Sequence, residues 1–206
     1  MKPQAGRLPA PAGGRGGKGR QRAAVFFGGV VPTSPDEERL AEEVGMALAG
    51  AGFELLHGGY NGLVEAAARG AASKGGTITA VTLADKHAEW GPFNSHVTGE
   101  VHVPDIGARL NHYLDAADLV VAMGGGVGTL HELTAALYYA GTVRPVPVWI
   151  TGPTALGLLS FLKREKWLFE TPTRSLGLIS PVASAAMFAT QLQHLTNGTD
   201  GTEAEA

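Results

Sequence analysis

Cysteine is absent from this sequence, which excludes disulfide frameworks, thiolate metal sites and cysteine nucleophiles. Also missing is any apolar run near the ~20 residues that a membrane-spanning helix needs. The first 22 residues carry charge but no apolar core, so they do not read as a secretory leader, and the cytoplasm is the expected compartment. Acidic residues are missing from that head. Lys2, Arg7, Arg15, Lys18, Arg20 and Arg22 precede the first acid, Asp36, and leave everything after Arg22 at a net charge of −9. A body of that sign repels a polyanion, so no nucleic-acid partner is expected. The seven histidines, at 57, 87, 96, 102, 112, 131 and 194, fall at no metal-ligand spacing.

What is present is glycine, 30 residues in a chain of 206, with 44% hydrophobic content. That length suits one sizeable core. We read residues 1–22 as a flexible basic tail, 23–196 as a single domain and 197–206 as a flexible acidic tail. Within the domain, short β-type runs alternate with helical patterns, the signature of a mainly parallel sheet with helices on both faces. Strands are expected at Ala24–Phe27, Phe53–His57, Thr77–Leu83, Val101–Val103, Leu119–Met123, Pro147–Ile150 and Leu176–Ile179. Helices are expected at Pro35–Ala49, Leu63–Ser73, Ile106–Ala116, Thr129–Tyr139, Ala155–Trp167 and Val182–Leu195. Ser34-Pro35-Asp36-Glu37 starts the first of these with an N-cap serine, a proline at the first helical position and a glutamate three residues after the serine. In the third, Ile106, Leu110, Tyr113, Leu114 and Ala117 share one stripe, with Arg109 off it.

Two strand-to-helix junctions concentrate the glycine: His57-Gly58-Gly59-Tyr60-Asn61-Gly62-Leu63 and Met123-Gly124-Gly125-Gly126-Val127-Gly128-Thr129. Glycine lets a ligand approach the backbone with no Cβ in the way. The helix that follows offers unpaired N–H groups and a partial positive charge, a natural seat for phosphate. Neither junction is the Gly-x-Gly-x-x-Gly dinucleotide fingerprint, and neither ends in the Lys-Ser/Thr of a Walker A loop. The second ends in Thr129-Leu130-His131-Glu132, which by itself reads as a capping box, threonine and glutamate closing the helix start on each other. His57 and His131 border the two turns as possible pocket residues, and Tyr60 and Asn61 are candidates for contact with a base or ribose. Trp149, Phe161 and Trp167 read as core or subunit-interface residues.

The stretch Gly124–Glu132 resembles the Pro-Gly-Gly-x-Gly-Thr-x-x-Glu motif of the Lonely Guy family, the cytokinin riboside 5′-monophosphate phosphoribohydrolases formerly labelled lysine decarboxylase-like. Gly58–Ala71 is similar to the family's other glycine-led signature, and Arg109 stands fifteen residues before Gly124, the place of the arginine in the family's Met-His-x-Arg-Lys segment. The resemblance implies a Rossmann-like α/β fold, a homodimer, and no cofactor or metal. It implies that Gly125, Gly126, Gly128 and Thr129 hold a 5′-phosphate, with Gly58, Gly59 and Asn61 as further substrate contacts. Arg109 and Glu132 would be the catalytic pair that releases a free base and ribose 5-phosphate. Gly124 in place of the proline and Leu110 in place of the lysine mark a divergent member. Loss of that lysine also suits the alternative, a non-catalytic carrier of a nucleotide or a molybdenum-cofactor-type pterin. Under the hydrolase reading, a carboxylate at Glu132 would stabilise the oxocarbenium-like ribose and guide the attacking water, while Arg109 would clamp an anionic oxygen or hold Glu132 ionised.

Overall fold

The structure is a computed structural model and describes residues 20–30, 34–172 and 174–200. Most of the basic head lies outside the described residues, as do 201–206 at the other end. Seven strands form one sheet in the order β4-β3-β2-β1-β5-β6-β7, all neighbours parallel. In chain order the elements are β1 (Ala23–Phe27), α1 (Pro35–Gly50), β2 (Glu54–His57), α2 (Leu63–Ala72), β3 (Ile78–Leu83), α3 (His87–Trp90), β4 (Gly99–Val103), α4 (Ile106–Ala116), β5 (Leu119–Ala122), α5 (Val127–Thr142), β6 (Val148–Thr151), α6 (Pro153–Arg164), β7 (Ile179–Val182) and α7 (Ala185–Asp200). Parallel neighbours need crossovers, and the helices that make them cover both faces of the sheet.

Strand periodicity divides the interior into two layers. Ala24 and Phe26 of β1 pack with Leu55, Ile78 and the α1, α2 and α7 side chains Val44, Leu48, Ala67 and Phe188. Val25 and Phe27 point the other way, toward Tyr113 and Leu114 of α4, Leu133 of α5 and Leu159 of α6. Because both faces are covered, β1 and β5 are buried along their whole length. Among the described residues, no helix is long and apolar enough to cross a membrane.

Each expected element is present, with displaced ends. Ser34 caps α1, its Oγ accepting from the Glu37 N–H at 3.2 Å, but Glu37 turns inward and leaves its Oε1 buried without a hydrogen-bond partner. The α4 stripe is shorter than expected: Tyr113, Leu114 and Ala117 are buried, whereas Ile106 is exposed. The β7 strand is Ile179–Val182, not Leu176–Ile179, and it contains Pro181. An edge strand tolerates a proline because its outer side makes no ladder bonds. Helix α7 continues through Asp200, so residues 197–200 are helical and not tail. At the other end, Arg20 pairs with Asp118 at 2.6 Å, and the Arg22 guanidinium stands over the Phe53 ring. The last three residues of the basic segment therefore lie against the domain. Trp149 is a core residue, edge-on to Phe188 with ring centroids 5.0 Å apart; Phe161 and Trp167 are exposed.

Helices α1 and α2 touch backbone to backbone. A Cβ on Gly70 would stand 1.9 Å from the Glu42 carbonyl oxygen, and one on Gly45 would stand 1.9 Å from the Ala67 oxygen. The two helices must separate to admit a methyl group, at a cost of about 1–3 kcal/mol for overpacking. Gly70→Ala is therefore expected to lower the melting temperature by about 2–10 °C in calorimetry; an unchanged melt would refute this account of the crossing.

His57, the last residue of β2, is wholly buried. Its Nδ1 accepts the Gly59 N–H at 2.8 Å, which ties the β2–α2 turn to the core and keeps the ring neutral. Burial pushes its pKa down from 6.5 to about 4. Between those values the unfolded chain binds a proton that the folded chain does not. The stability contribution is thus present above pH 6.5 and lost as pH falls toward 4. Urea denaturation should show wild type losing up to about 1.4 kcal/mol more per pH unit in that window than His57→Gln. Parallel pH profiles for the two proteins would contradict this.

Candidate functional site

The carboxyl ends of β2, β1 and β5 lie side by side, so their three loops meet above the sheet. At a topological switch point of this kind, open α/β sheets hold their ligands. The β1 loop is the hinge between the other two. The Gly29 N–H donates to the Gly124 carbonyl at 2.8 Å, and the Gly29 carbonyl accepts from the Leu63 N–H at 3.0 Å. The contact is close enough to demand glycine: a Cβ on Gly29 would fall 2.3 Å from the Gly125 Cα. Gly62, with φ at +79°, would drive a Cβ to 2.4 Å from the Gly29 oxygen.

A cavity of about 380 Å³ opens between these loops, within the size range of small-molecule sites. Apolar walls come from Phe26, Phe27 and Val64. Polar groups come from Tyr60, Asn61, Arg109, Thr129 and Glu132, and Gly28, Gly58, Gly126 and Gly128 also line the cavity. Sequence reasoning missed the apolar walls and the Gly28-Gly29-Val30 loop as part of the site. The glycine pair at the end of β1 was the available signal.

The second glycine turn divides by role. Gly126 is the N-cap of α5 and no side chain caps it. A Cβ at Gly126 or Gly128 would meet nothing within 4 Å. Backbone N–H groups of this first turn have no helical acceptor, and the helix dipole adds positive potential there. Gly125 does not line the cavity. It packs under the turn, where a Cβ would meet the Thr129 Oγ1 at 2.3 Å. Helix α5 also starts two residues earlier than expected, so Thr129 is inside the first turn and is not its cap.

Glu132 is consequently not the partner in a capping box. It extends from the second turn of α5 into the cavity and accepts from Arg109 Nη2 at 2.5 Å. Arg109 reaches this point from α4, whose start is capped by Asp105, and its guanidinium also stands over the Tyr113 ring at 5.6 Å. Arg109 and Glu132, 23 positions apart in sequence, are thus brought together, with their side chains only 21% and 14% exposed. Burial raises the Glu132 carboxyl above its ordinary value, with Arg109 pulling it back. For Arg109, burial works against the charge, but Tyr113 and Glu132 outweigh it and the net direction is upward. Burial likewise raises the Tyr113 phenol, whose hydroxyl donates to the Val81 carbonyl.

The first turn divides similarly. Gly58 and Asn61 line the cavity. Gly59 does not: with φ at +87°, it leaves room for the Phe93 ring, which a Cβ would meet at 2.5 Å. The histidines bordering the turns are not cavity residues either. His57 is sealed in the core, and His131 points to solvent on the outer side of α5. Helical geometry explains the latter, since neighbours on a helix lie about 100° apart and Glu132 faces inward.

Comparison with known proteins agrees with this architecture. An uncharacterized protein of Archaeoglobus fulgidus is 37% identical over 106 residues, which span 50% of this chain and 66%, just under two thirds, of that protein. The molybdenum cofactor binding protein of Rippkaea orientalis shares the fold with a TM-score of 0.67 at 22% identity, over 85% of this chain and 98% of its own. The molybdenum cofactor carrier protein of Chlamydomonas reinhardtii does so with a TM-score of 0.66 at 24% identity, over 86% and 99%. The model of the SLOG cluster4 family matches residues 22–154, a stretch that includes both glycine turns, Arg109 and Glu132. With its parallel Rossmann-like sheet, this chain belongs to the SLOG cluster4 family, part of a superfamily that also takes in Lonely Guy-like members and molybdenum cofactor carriers.

Proposed function

We propose that this chain binds a phosphorylated small molecule, a nucleoside 5′-monophosphate or a phosphorylated pterin of the molybdenum-cofactor type, within a single domain. The observation that carries the reading is the start of α5. It is uncapped, exposed at Gly126 and Gly128, and opens directly on the cavity. Arg109 is the cation among the cavity-lining residues and is already paired with Glu132. The seat for the anion is therefore backbone N–H and helix dipole, not a lysine or free arginine. A carrier needs no more than this.

A second reading is supported by Glu132 itself. Its carboxylate faces the cavity one turn beyond the phosphate seat, where the ribose of a bound monophosphate would lie. Together with the Lonely Guy resemblance, that position suits a phosphoribohydrolase in which Glu132 stabilises the oxocarbenium-like ribose and Arg109 orients it. For hydrolysis the Arg109 contact must leave one carboxylate oxygen directed at the anomeric carbon.

One set of measurements separates these readings. Purified protein is titrated with nucleoside monophosphates by calorimetry and, in parallel, assayed for base release by chromatography. Gly126→Val should abolish binding with an unchanged melt, because a Cβ at Gly126 meets nothing within 4 Å and the added side chain would enter ligand space; wild-type affinity in that variant removes the phosphate seat. If the protein is a hydrolase, Glu132→Gln should lower turnover by ~10²–10⁴-fold while binding persists. The variant should also melt somewhat lower, since it leaves Arg109 without its counter-charge. Tight binding by wild type with no base release selects the carrier reading.

We further propose a homodimer formed through α5. Tyr138 and Trp167, 63% and 75% exposed, stand over a shallow groove with Leu137, Leu162 and Leu168. Apolar exposure of this kind is costly in a monomer. Light scattering at micromolar concentration should give twice the 21.2 kDa chain mass, and Trp167→Glu should reduce it to a monomer; a monomeric wild type would end this proposal.

A further inference from the structure

The chain between β3 and β4, residues 84–98, crosses the sheet edge beside the cavity and contributes little to either core layer. Ala84, Asp85, Ala88, Glu89 and Trp90 are exposed. Three of its residues, Trp90, Phe93 and Asn94, meet instead at Tyr60, which lines the cavity from the β2–α2 turn. Asn94 pins the backbone beneath that residue. Its N–H donates to the Gly59 carbonyl at 2.8 Å, and its side-chain amide donates to the Gly59 and Tyr60 carbonyls at 3.0 and 2.7 Å. Phe93 packs against the Tyr60 ring, centroids 5.3 Å apart, and Trp90 stands edge-on to it at 5.7 Å. The phenol oxygen is tethered at the far end to the buried Thr82 hydroxyl at 2.7 Å. Gly59 completes the arrangement, since any Cβ there would collide with Phe93.

A tyrosine needs none of this to fill space. Three independent restraints, on its backbone, its ring and its hydroxyl, immobilise an amphipathic ring at a cavity wall. The position is also informative. Tyr60 follows β2, and the proposed phosphate seat follows β5, with β1 between them. Two strand spacings, about 10 Å, separate the two ends of the site, the reach of a mononucleotide from phosphate to ring.

We propose that residues 84–98 are the selectivity element of this site: Asn94, Phe93 and Trp90 are positioning residues that hold Tyr60 as a fixed stacking platform for a flat heteroaromatic ring carried by the same ligand whose phosphate sits on α5. This rests on the phosphate-seat reading above. Preorganisation is what makes the platform selective, because the entropy of ordering the ring is lost on folding and not on binding. Phosphorylated ligands without a flat ring would occupy the seat and leave the platform unused.

The test is calorimetric titration of the full chain with adenosine and guanosine 5′-monophosphate and, separately, ribose 5-phosphate. Tyr60→Leu should weaken the tighter-binding nucleotide by roughly tenfold or more, the range expected for loss of one base–aromatic stack, and leave ribose 5-phosphate affinity unchanged. Tyr60→Phe, which keeps the ring, should bind the nucleotide nearly as wild type does. Phe93→Leu, which frees the platform without removing it, should show a smaller loss confined to the nucleotide. Equal losses for nucleotide and ribose 5-phosphate, or none for either, would overturn the assignment. A wild-type protein that binds ribose 5-phosphate as tightly as it binds both nucleotides would overturn this inference alone. Failure to bind any of the three would remove the phosphate seat, and the platform with it.

Discussion

The site depends on a contact between two stretches of backbone, Gly29 against Gly124 and Gly125. There the β1 loop lies so close to the β5 loop that a single methyl group on Gly29 would overlap the Gly125 Cα. Gly29 holds the β5 loop through its N–H and the start of α2 through its carbonyl. Two helices that begin 64 residues apart, at Leu63 and Val127, therefore open on one cavity. Separating the loops by even an ångström would move the α5 N–H groups away from Tyr60 and Asn61, and these groups would no longer line one cavity.

Charge in the cavity is balanced internally. Arg109 and Glu132 neutralise each other at 2.5 Å, so under the proposed reading an anionic ligand would meet neither a free cation nor a free acid among the cavity-lining residues, and the remaining attraction would be that of the α5 dipole. Such a seat is weaker than one armed with lysine but suits a protein that must release what it holds. The same pair suits catalysis only if ligand binding divides the two side chains, leaving the carboxylate toward a sugar and the guanidinium toward an oxygen. Two of the solved structures that share the fold are a molybdenum cofactor binding protein and a molybdenum cofactor carrier protein, and at their level of identity the likeness reaches the fold and stops there. Distinguishing carrier from hydrolase is thus a question about where Glu132 points when a ligand is bound.

The strand and helix alternation was legible because a doubly covered parallel sheet needs short, wholly apolar strands, and Ala24–Phe27 and Leu119–Ala122 are written that way. Where the reading slipped, a local rule met a tertiary exception. The run Gly124-Gly125-Gly126-Val127-Gly128 suggested a turn up to Thr129, yet α5 begins at Val127 and includes Gly128, because an exposed first turn tolerates glycine. The seventh strand was expected at Leu176–Ile179, yet β7 runs from Ile179 to Val182 through Pro181, which an edge position tolerates. Helix α3, four residues long, is too short to show a period.

From the sequence alone came the fold class, the two glycine turns and the expectation that Arg109 and Glu132 act near the second of them. These depend on local composition and on the register of motifs along the chain, which a sequence carries directly. Only the tertiary structure decided which glycines line the cavity and which pack against protein: Gly126 and Gly128 are open, Gly125 and Gly59 are packed. It also decided that Glu132 pairs with Arg109 and does not cap its own helix, and that Phe93 and Asn94 support Tyr60. For Gly59, Glu132 and Tyr60 the deciding partners, Phe93, Arg109 and Asn94, are remote in the chain and brought within a few ångströms by the fold, and no local pattern encodes a distance of that kind.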